Sequence, residues 1–177
     1  MSECTLLWFR RDLRLSDHPA LTAAIARDRA IIPVFIRDPI VDGLGAAPKF
    51  RLELGLEAFD ARLRTFGSRL IFRSGDASDV LQALVTETGA QSVFWTRAYD
   101  PASVTRDTKL KTTLKSKNID ARSFGGHLMF EPWTVATKTG TPFKVYTPFW
   151  NAVRDRGVDT PLPMPVSLPS PSIWPAS

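Results

Sequence analysis

Five short strand-like segments within the first 124 residues, most of them apolar, constrain the fold of this chain more than any other feature. They are predicted to be strands at residues 5–9, 30–36, 70–73, 93–95 and 121–124. In the first run, residues 5–9, the apolar residues are continuous rather than alternating, which is typical of a central strand in a parallel sheet covered on both faces. The runs therefore predict a sheet that lies between two outer layers.

Four helical segments are predicted in the gaps between these strands. Pro19 and Pro101 each open one, as proline can at the first helical position, and Asp76 is placed to cap a third. The longest segment, residues 49–66, carries apolar residues on one helical face: Leu52, Leu56, Phe59, Leu63 and Phe66. Strands that alternate with helices predict an α/β domain with a five-stranded, mostly parallel sheet and right-handed crossovers.

The loops that follow the strands are the expected ligand sites, because open α/β sheets bind ligands beyond the carboxyl ends of their strands. The first of these loops, residues 10–17, has no G-x-G-x-x-G motif, so a dinucleotide-binding loop of the usual kind is not predicted. It carries Arg10, Arg11, Asp12 and Arg14 instead. The arginines could bind an anionic ligand in bidentate fashion, or Arg10 could pair with Asp12 and stiffen the loop. The sequence leaves both interpretations open.

Proline is distributed unevenly along the chain. Of the 14 prolines, nine lie in residues 131–177, and six of these fall after residue 157. Such a stretch can form neither a helix nor a central strand, so it is predicted to be extended or disordered. We therefore expect an α/β domain at residues 1–130, followed at residues 131–177 by an interdomain segment and a proline-rich linker. A linker in this position suggests a fragment of a longer protein.

Composition excludes several classes of protein. The single cysteine, Cys4, permits neither an intramolecular disulfide nor a cysteine-based zinc site, and His18 and His127 lie far apart. No metal site is therefore expected, and no poised acid, base or nucleophile marks a catalytic residue. No apolar stretch reaches the roughly 18 residues that span a bilayer, and no signal-peptide pattern opens the chain. We expect a cytoplasmic protein with no membrane partner; its oligomeric state is not indicated.

Four motifs in order resemble the DNA photolyase/cryptochrome family. They are LWFRRDLRLSDHPAL at residues 7–21, IPVFIRDP at residues 32–39, YDP at residues 99–101 followed by Arg106 and Asp107, and GTPFKVYTPF at residues 140–149. The resemblance extends from residue 5 to about residue 156. It implies a Rossmann-like, three-layer α/β sandwich that lacks G-x-G-x-x-G and holds a light-harvesting antenna chromophore in many members.

The resemblance also implies a parent enzyme, a deoxyribodipyrimidine photolyase, which is a carbon–carbon lyase. In that family a helical domain, absent from this chain, binds FAD and takes a pyrimidine dimer of damaged DNA into its pocket. Reduced FAD, excited by light, donates an electron that splits the dimer. The 177-residue chain is therefore predicted to be inactive by itself and to have its own helical domain as a partner.

The family's antenna pocket maps onto eight residues of this sequence. They are Phe9, Arg10, Phe35, Arg37, Lys49, Leu52, Tyr99 and Asp100. The chromophore could be FMN, a deazaflavin or a folate. The Asn-Glu pair of many folate-binding members is replaced by Ala102 and Ser103, and an aspartate of many deazaflavin-binding members is replaced by Ala98. These departures favour a different chromophore, such as FMN, or an empty pocket.

Three alternatives remain open at this point. The chain could be the same domain of a cryptochrome, a signalling photoreceptor. It could be a free-standing nucleotide-binding domain of the universal-stress or electron-transfer-flavoprotein type, although Gly125 and Gly126 form too short a phosphate loop for that class. It could also serve only as a folding and docking platform.

Overall fold

Five parallel strands form one sheet in a computed structural model that describes residues 3–177. The strands are β1 (Cys4–Phe9), β2 (Ala30–Arg37), β3 (Ile71–Ser74), β4 (Ser92–Thr96) and β5 (Asp120–Phe124). Their order across the sheet is β3-β2-β1-β4-β5, and every neighbouring pair is parallel. Pro33 lies inside β2, but the β2–β3 ladder begins only at Val34 and Ile71. Proline, which cannot donate a hydrogen bond, therefore lies outside that ladder.

Helices cover both faces of the sheet, as the continuous apolar runs predict. The helices are α1 (Pro19–Ile25), α2 (Pro39–Asp42), α3 (Ala46–Arg64), α4 (Ala77–Thr88), α5 (Pro101–Ser116) and α6 (Tyr146–Val153). Leu7 and Phe9 of β1 pack in the core beneath α1 and α3. Leu6 and Trp8 point to the opposite face, which packs against α4 and α5. The predicted three-layer α/β sandwich is thus confirmed.

One predicted loop contains a helix instead. Residues 38–48 are expected to be loop because of their prolines and glycines, yet α2 and the first residues of α3 lie there. Asp38 caps α2 by accepting a hydrogen bond from the Val41 amide (3.0 Å), and Pro39 occupies the first helical position. In the sequence, the start of this helix is indicated by an Asp-Pro pair that precedes two apolar residues.

Residues 158–177, which we call the strap, run in extended form along the α/β unit. Leu168 is buried in the core beneath α1 and α3, and Trp174 packs against the core on the other face. The carbonyl of Pro169 accepts a hydrogen bond from the Ile31 amide (2.7 Å). Of the two predicted states of this proline-rich stretch, the structure shows the extended one, docked on the domain. Within residues 3–177, no helix combines the length and apolarity needed to cross a bilayer.

Candidate functional site

A cleft of about 1230 Å³ opens at the carboxyl ends of β1, β2 and β4. At this point the strand order reverses, because β2 and β3 extend from one side of β1 whereas β4 and β5 extend from the other. In sheets of this kind, such a reversal separates neighbouring loops and leaves room for a ligand. One wall is α3, and the facing wall is the loop that follows β1. Trp8, Phe35 and Ile36 contribute to the floor.

Five of the eight predicted pocket residues line the cleft: Arg10, Phe35, Leu52, Tyr99 and Asp100. They come from four separate segments, so the fold brings together what the sequence holds apart. Whether they bind a chromophore stays a prediction.

The other three predicted pocket residues do not line the cleft. Phe9 points into the core, where its ring meets those of His18 and Phe59 at centroid distances of 5.1 and 4.7 Å. Arg37 is exposed and pairs with Asp42 (2.6 Å). Lys49 is also exposed. The cleft-lining positions of α3 are residues 48, 51, 52, 54, 55, 58, 59 and 62, and Lys49 lies outside that helical face.

Below the cleft, an ion-pair network connects three elements. Asp107 of α5 receives hydrogen bonds from Arg10 (3.0 Å), Arg106 (2.9 Å) and the indole N–H of Trp95 (3.2 Å). Arg106 also pairs with Asp38 (2.6 Å), which caps α2. The two guanidiniums lie 4.7 and 4.8 Å from the centroid of the Trp8 ring. The network therefore fixes the floor of the cleft and the start of α2 together.

Of the two interpretations of this loop, a pairing of the Arg10 side chain with Asp12 is wrong. Only the backbone amide of Arg10 donates to Asp12 (2.8 Å), whereas its guanidinium turns to Asp107 and to the carbonyl of Thr96. Burial lowers the pKa of Arg10, and the charge of Asp107 opposes that shift. The partner lies 97 residues away along the chain. No local pattern could have indicated it.

Asp12 pairs with a buried histidine instead. Nδ1 of His18 accepts a hydrogen bond from the Leu21 amide (3.1 Å), which leaves Nε2 as the ring nitrogen that faces Oδ2 of Asp12, 2.9 Å away. Burial by itself would raise the pKa of Asp12. The interactions with His18 and with the Arg10 amide outweigh burial and hold that pKa well below its usual range. An ionised Asp12 thus anchors the loop that forms one wall of the cleft.

Tyr99 is held from outside the α/β unit. Its hydroxyl donates to Glu131 (2.8 Å), whose other oxygen pairs with Arg97 (2.6 Å). Burial and the neighbouring Glu131 carboxylate raise the pKa of Tyr99. Glu131 was not among the predicted site residues, and its neighbours Phe130 and Pro132 give no sign of its role. Through Tyr99, the segment that leaves the α/β unit helps to shape the cleft.

The rim of the cleft is positively charged. Arg11 and Arg51 line it and make no ion pair or hydrogen bond to another side chain among residues 3–177, whereas Arg14 donates to the carbonyls of Asp17 and Gly126 (2.8 Å each). A cleft with aromatic side chains and paired guanidiniums at its floor and further arginines at its rim suits a flat aromatic molecule that carries an anionic group. In the same part of the chain, no group of three or more His, Cys, Asp or Glu side chains is placed to hold a metal ion.

The family model for DNA photolyase matches residues 5–167. The chain belongs to the DNA photolyase family. This membership confirms the resemblance carried by the four motifs, and it decides against a free-standing domain of the universal-stress or electron-transfer-flavoprotein type.

Photolyase relatives resemble the chain in sequence. It is 43% identical over 175 residues to the deoxyribodipyrimidine photo-lyase of Agrobacterium fabrum, covering 97% of this chain and 36% of that protein. It is 37% identical over 165 residues to cryptochrome-1 of Arabidopsis thaliana, covering 91% of this chain and 24% of that protein. The chain thus spans about a third or less of the length of these relatives.

Solved photolyase structures resemble the chain in fold. A bacterial class III photolyase from Agrobacterium tumefaciens superposes with a TM-score of 0.94 at 40% identity, over 100% of this chain and 37% of that one. An archaeal photolyase from Sulfolobus tokodaii superposes with a TM-score of 0.74 at 27% identity, over 93% of this chain and 38% of that one. That archaeal structure contains two FAD molecules and is described as implying a novel light-harvesting cofactor.

Proposed function

We propose that this chain is the antenna-chromophore domain of a deoxyribodipyrimidine photolyase. The parent enzyme repairs UV-induced pyrimidine dimers in DNA by light-driven electron transfer from reduced FAD. The observation that carries the proposal is the cleft at the strand-order reversal of a photolyase-family fold, with an aromatic floor and a cationic rim. The greater identity to the photo-lyase of Agrobacterium fabrum than to the Arabidopsis cryptochrome, 43% against 37%, favours repair over signalling.

An antenna role makes modest chemical demands on the protein. Energy transfer to a flavin requires only that the chromophore be held close to it in a suitable orientation. FMN, a deazaflavin and a folate each combine a flat ring system with an anionic group, which matches the floor around Trp8 and Phe35 and the free rim residues Arg11 and Arg51. The second FAD of the Sulfolobus tokodaii relative supports a flavin-type chromophore among these candidates.

The helical FAD domain would dock against an exposed aromatic surface. Tyr146, Phe149 and Trp150 of α6 are all substantially exposed, and the rings of Tyr146 and Trp150 stack at 6° with centroids 6.4 Å apart. Exposed apolar patches of this kind mark interaction surfaces. In the parent protein, this face and residues 131–177 would lie between the antenna domain and the FAD domain.

Titration of the chain with FMN, an 8-hydroxy-5-deazaflavin and a reduced folate tests the antenna role, with absorbance read between roughly 350 and 500 nm. Arg51→Gln is expected to weaken binding about tenfold, because a charge-assisted hydrogen bond to the anionic group is lost. Arg64→Gln is the matched control, since Arg64 lies on the same helix but pairs with Asp60 outside the cleft. Binding of none of the three ligands would contradict the antenna role.

The activity of the parent protein is tested with its full-length chain. We expect that protein, carrying reduced FAD, to reverse pyrimidine dimers in light and not in darkness, and the 177-residue chain to reverse none. A full-length protein that binds FAD and responds to light without repairing DNA would favour the cryptochrome alternative. Repair by the 177-residue chain alone would contradict the proposal that repair requires the helical FAD domain.

A further inference from the structure

The strap reaches the cleft. Met164 is among the cleft-lining residues, although it belongs to the proline-rich stretch and not to the α/β unit. The strap is fixed next to it by Leu162, whose carbonyl accepts a hydrogen bond from the Asp17 amide (2.8 Å) and whose amide donates to the Asp17 carboxylate (3.2 Å). Asp17 lies at the end of the loop that forms the wall facing α3. The strap is therefore tied to the cleft wall itself.

Met164 lies at one end of an elongated groove. The cleft-lining residues of α3 run from Pro48 to Arg62, which at 1.5 Å per residue corresponds to a length of about 21 Å. At the Arg62 end of this helix face, the Arg62 guanidinium donates a hydrogen bond to the sulfur of Met164 (3.4 Å). Tyr99 and Asp100 belong to a different loop, the one between β4 and α5. A three-ring chromophore is much shorter than this groove, so part of the groove is left for a tail.

The neighbours of Met164 in the strap restrict its backbone. Pro163 and Pro165 flank it directly and restrict the backbone to extended conformations. Four residues further on, Leu168 is buried to 7% exposure in the core beneath α1 and α3. The backbone of the strap around Met164 is therefore already ordered beside the cleft before a ligand binds.

We propose that Met164 forms the end wall of the cleft and sets the length of chromophore tail that the cleft accepts. This inference rests on the antenna function proposed above. A ligand with a short tail ends before it reaches Met164, whereas a ligand of dinucleotide length contacts Met164 and Arg62. Met164 is thus a specificity-determining residue contributed by the strap.

The test compares ligands that share one ring system and differ in tail length: riboflavin, FMN and FAD. Their dissociation constants are measured by fluorescence titration for the unmodified chain, Met164→Trp and Met164→Ala. The larger side chain shortens the groove and is expected to raise the ratio of the FAD to the riboflavin dissociation constant about tenfold. The smaller one lengthens the groove and is expected to lower the same ratio, while riboflavin binding is unchanged.

Val166 provides the matched control. It lies two residues further along the same strap, is 98% exposed and does not line the cleft, whereas Met164 is 46% exposed. Val166→Trp is expected to leave all three dissociation constants unchanged. Both tryptophan variants replace exposed side chains, so both are expected to fold, which their melting temperatures verify.

The outcomes separate the two proposals. If the unmodified chain binds flavins and Met164→Trp alters the three constants equally, or no more than Val166→Trp, the end-wall inference is overturned and the antenna function stands. If no flavin binds, the same variants are compared with monoglutamyl and polyglutamyl folate, and with deazaflavins of short and long tail. If none of these ligands binds, the antenna function fails, and the inference that rests on it fails too.

Discussion

Replacement of Asp107 by alanine is expected to destabilise the protein strongly. Asp107 accepts hydrogen bonds from Arg10, Arg106 and Trp95, and its side chain is only 12% exposed. Its loss would leave two guanidiniums close together beneath the cleft, with their shared counter-charge removed. Only Asp38 would remain as a partner for Arg106, and Arg10 would keep only the Thr96 carbonyl.

The magnitude follows from the burial of this network. Removing one partner of a buried ion pair costs about 3–5 kcal/mol, because the other charge remains in a poorly solvated site. For a chain of this size, each 1 kcal/mol lowers the melting temperature by roughly 2–4 °C. Asp107→Ala is therefore expected to lower the melting temperature by about 6–20 °C. Asp107→Asn, which keeps an acceptor oxygen, is expected to have a smaller effect.

Urea unfolding followed by tryptophan fluorescence measures this change, with Asp42→Ala as the control. Asp42 also forms a 2.6 Å ion pair, with Arg37, but its side chain is 51% exposed. Exposed pairs contribute about 0–1 kcal/mol, so the control is expected to fall in that range. A free energy of unfolding for Asp107→Ala within about 1 kcal/mol of that of Asp42→Ala would refute the reasoning, because burial would then make no difference.

Three further predictions concern the strap, the loop after β1 and Tyr99. Leu168→Ala is expected to lower the free energy of unfolding by about 2–3 kcal/mol in a urea titration, whereas Val166→Ala leaves it unchanged; equal effects would mean that the strap is not docked. The pKa of Asp12 is lower in the folded protein than in the unfolded chain, so its stabilising contribution is present above a pH of about 4 and is lost as the pH falls further. Asp12→Asn is therefore expected to reduce the change in melting temperature between roughly pH 5 and pH 3. Glu131→Gln is expected to lower the pKa of Tyr99, which is measured by following the absorbance of the tyrosine phenolate as the pH is raised. An unchanged titration curve would show that Glu131 does not act on this hydroxyl.

The sheet could be predicted from sequence because each of its signals is local. Continuous apolar runs, proline or aspartate at helix starts, and glycine at position 89 after α4 lie within a few residues of what they determine. Asp76 caps α4 as its position in the sequence predicts, by accepting hydrogen bonds from the Ser78 and Asp79 amides. Only α2 was missed within the α/β unit, since its four residues are too few to show a helical period.

The site could be predicted only in part because its connections are not local. The family resemblance places five residues in the cleft, but strand alternation turns Phe9 into the core and helical phase turns Lys49 away. The pairing of Arg10 with Asp107 spans 97 residues, so it has no local signal. The prolines of the strap indicate its extended form, but its docking depends on Leu168 finding a place in the core.

The contacts of the strap also bear on the order in which the chain folds. The hydrogen bond between Asp17 and Leu162 joins residues that are 145 positions apart. During synthesis from the N-terminus, all five strands are made before the strap, so the sheet can begin to form while the cleft lacks its end wall. Closing so long a loop is entropically costly and contributes little until the core that receives Leu168 exists. We expect refolding to show docking of the strap, reported by Trp174, as the last kinetic step.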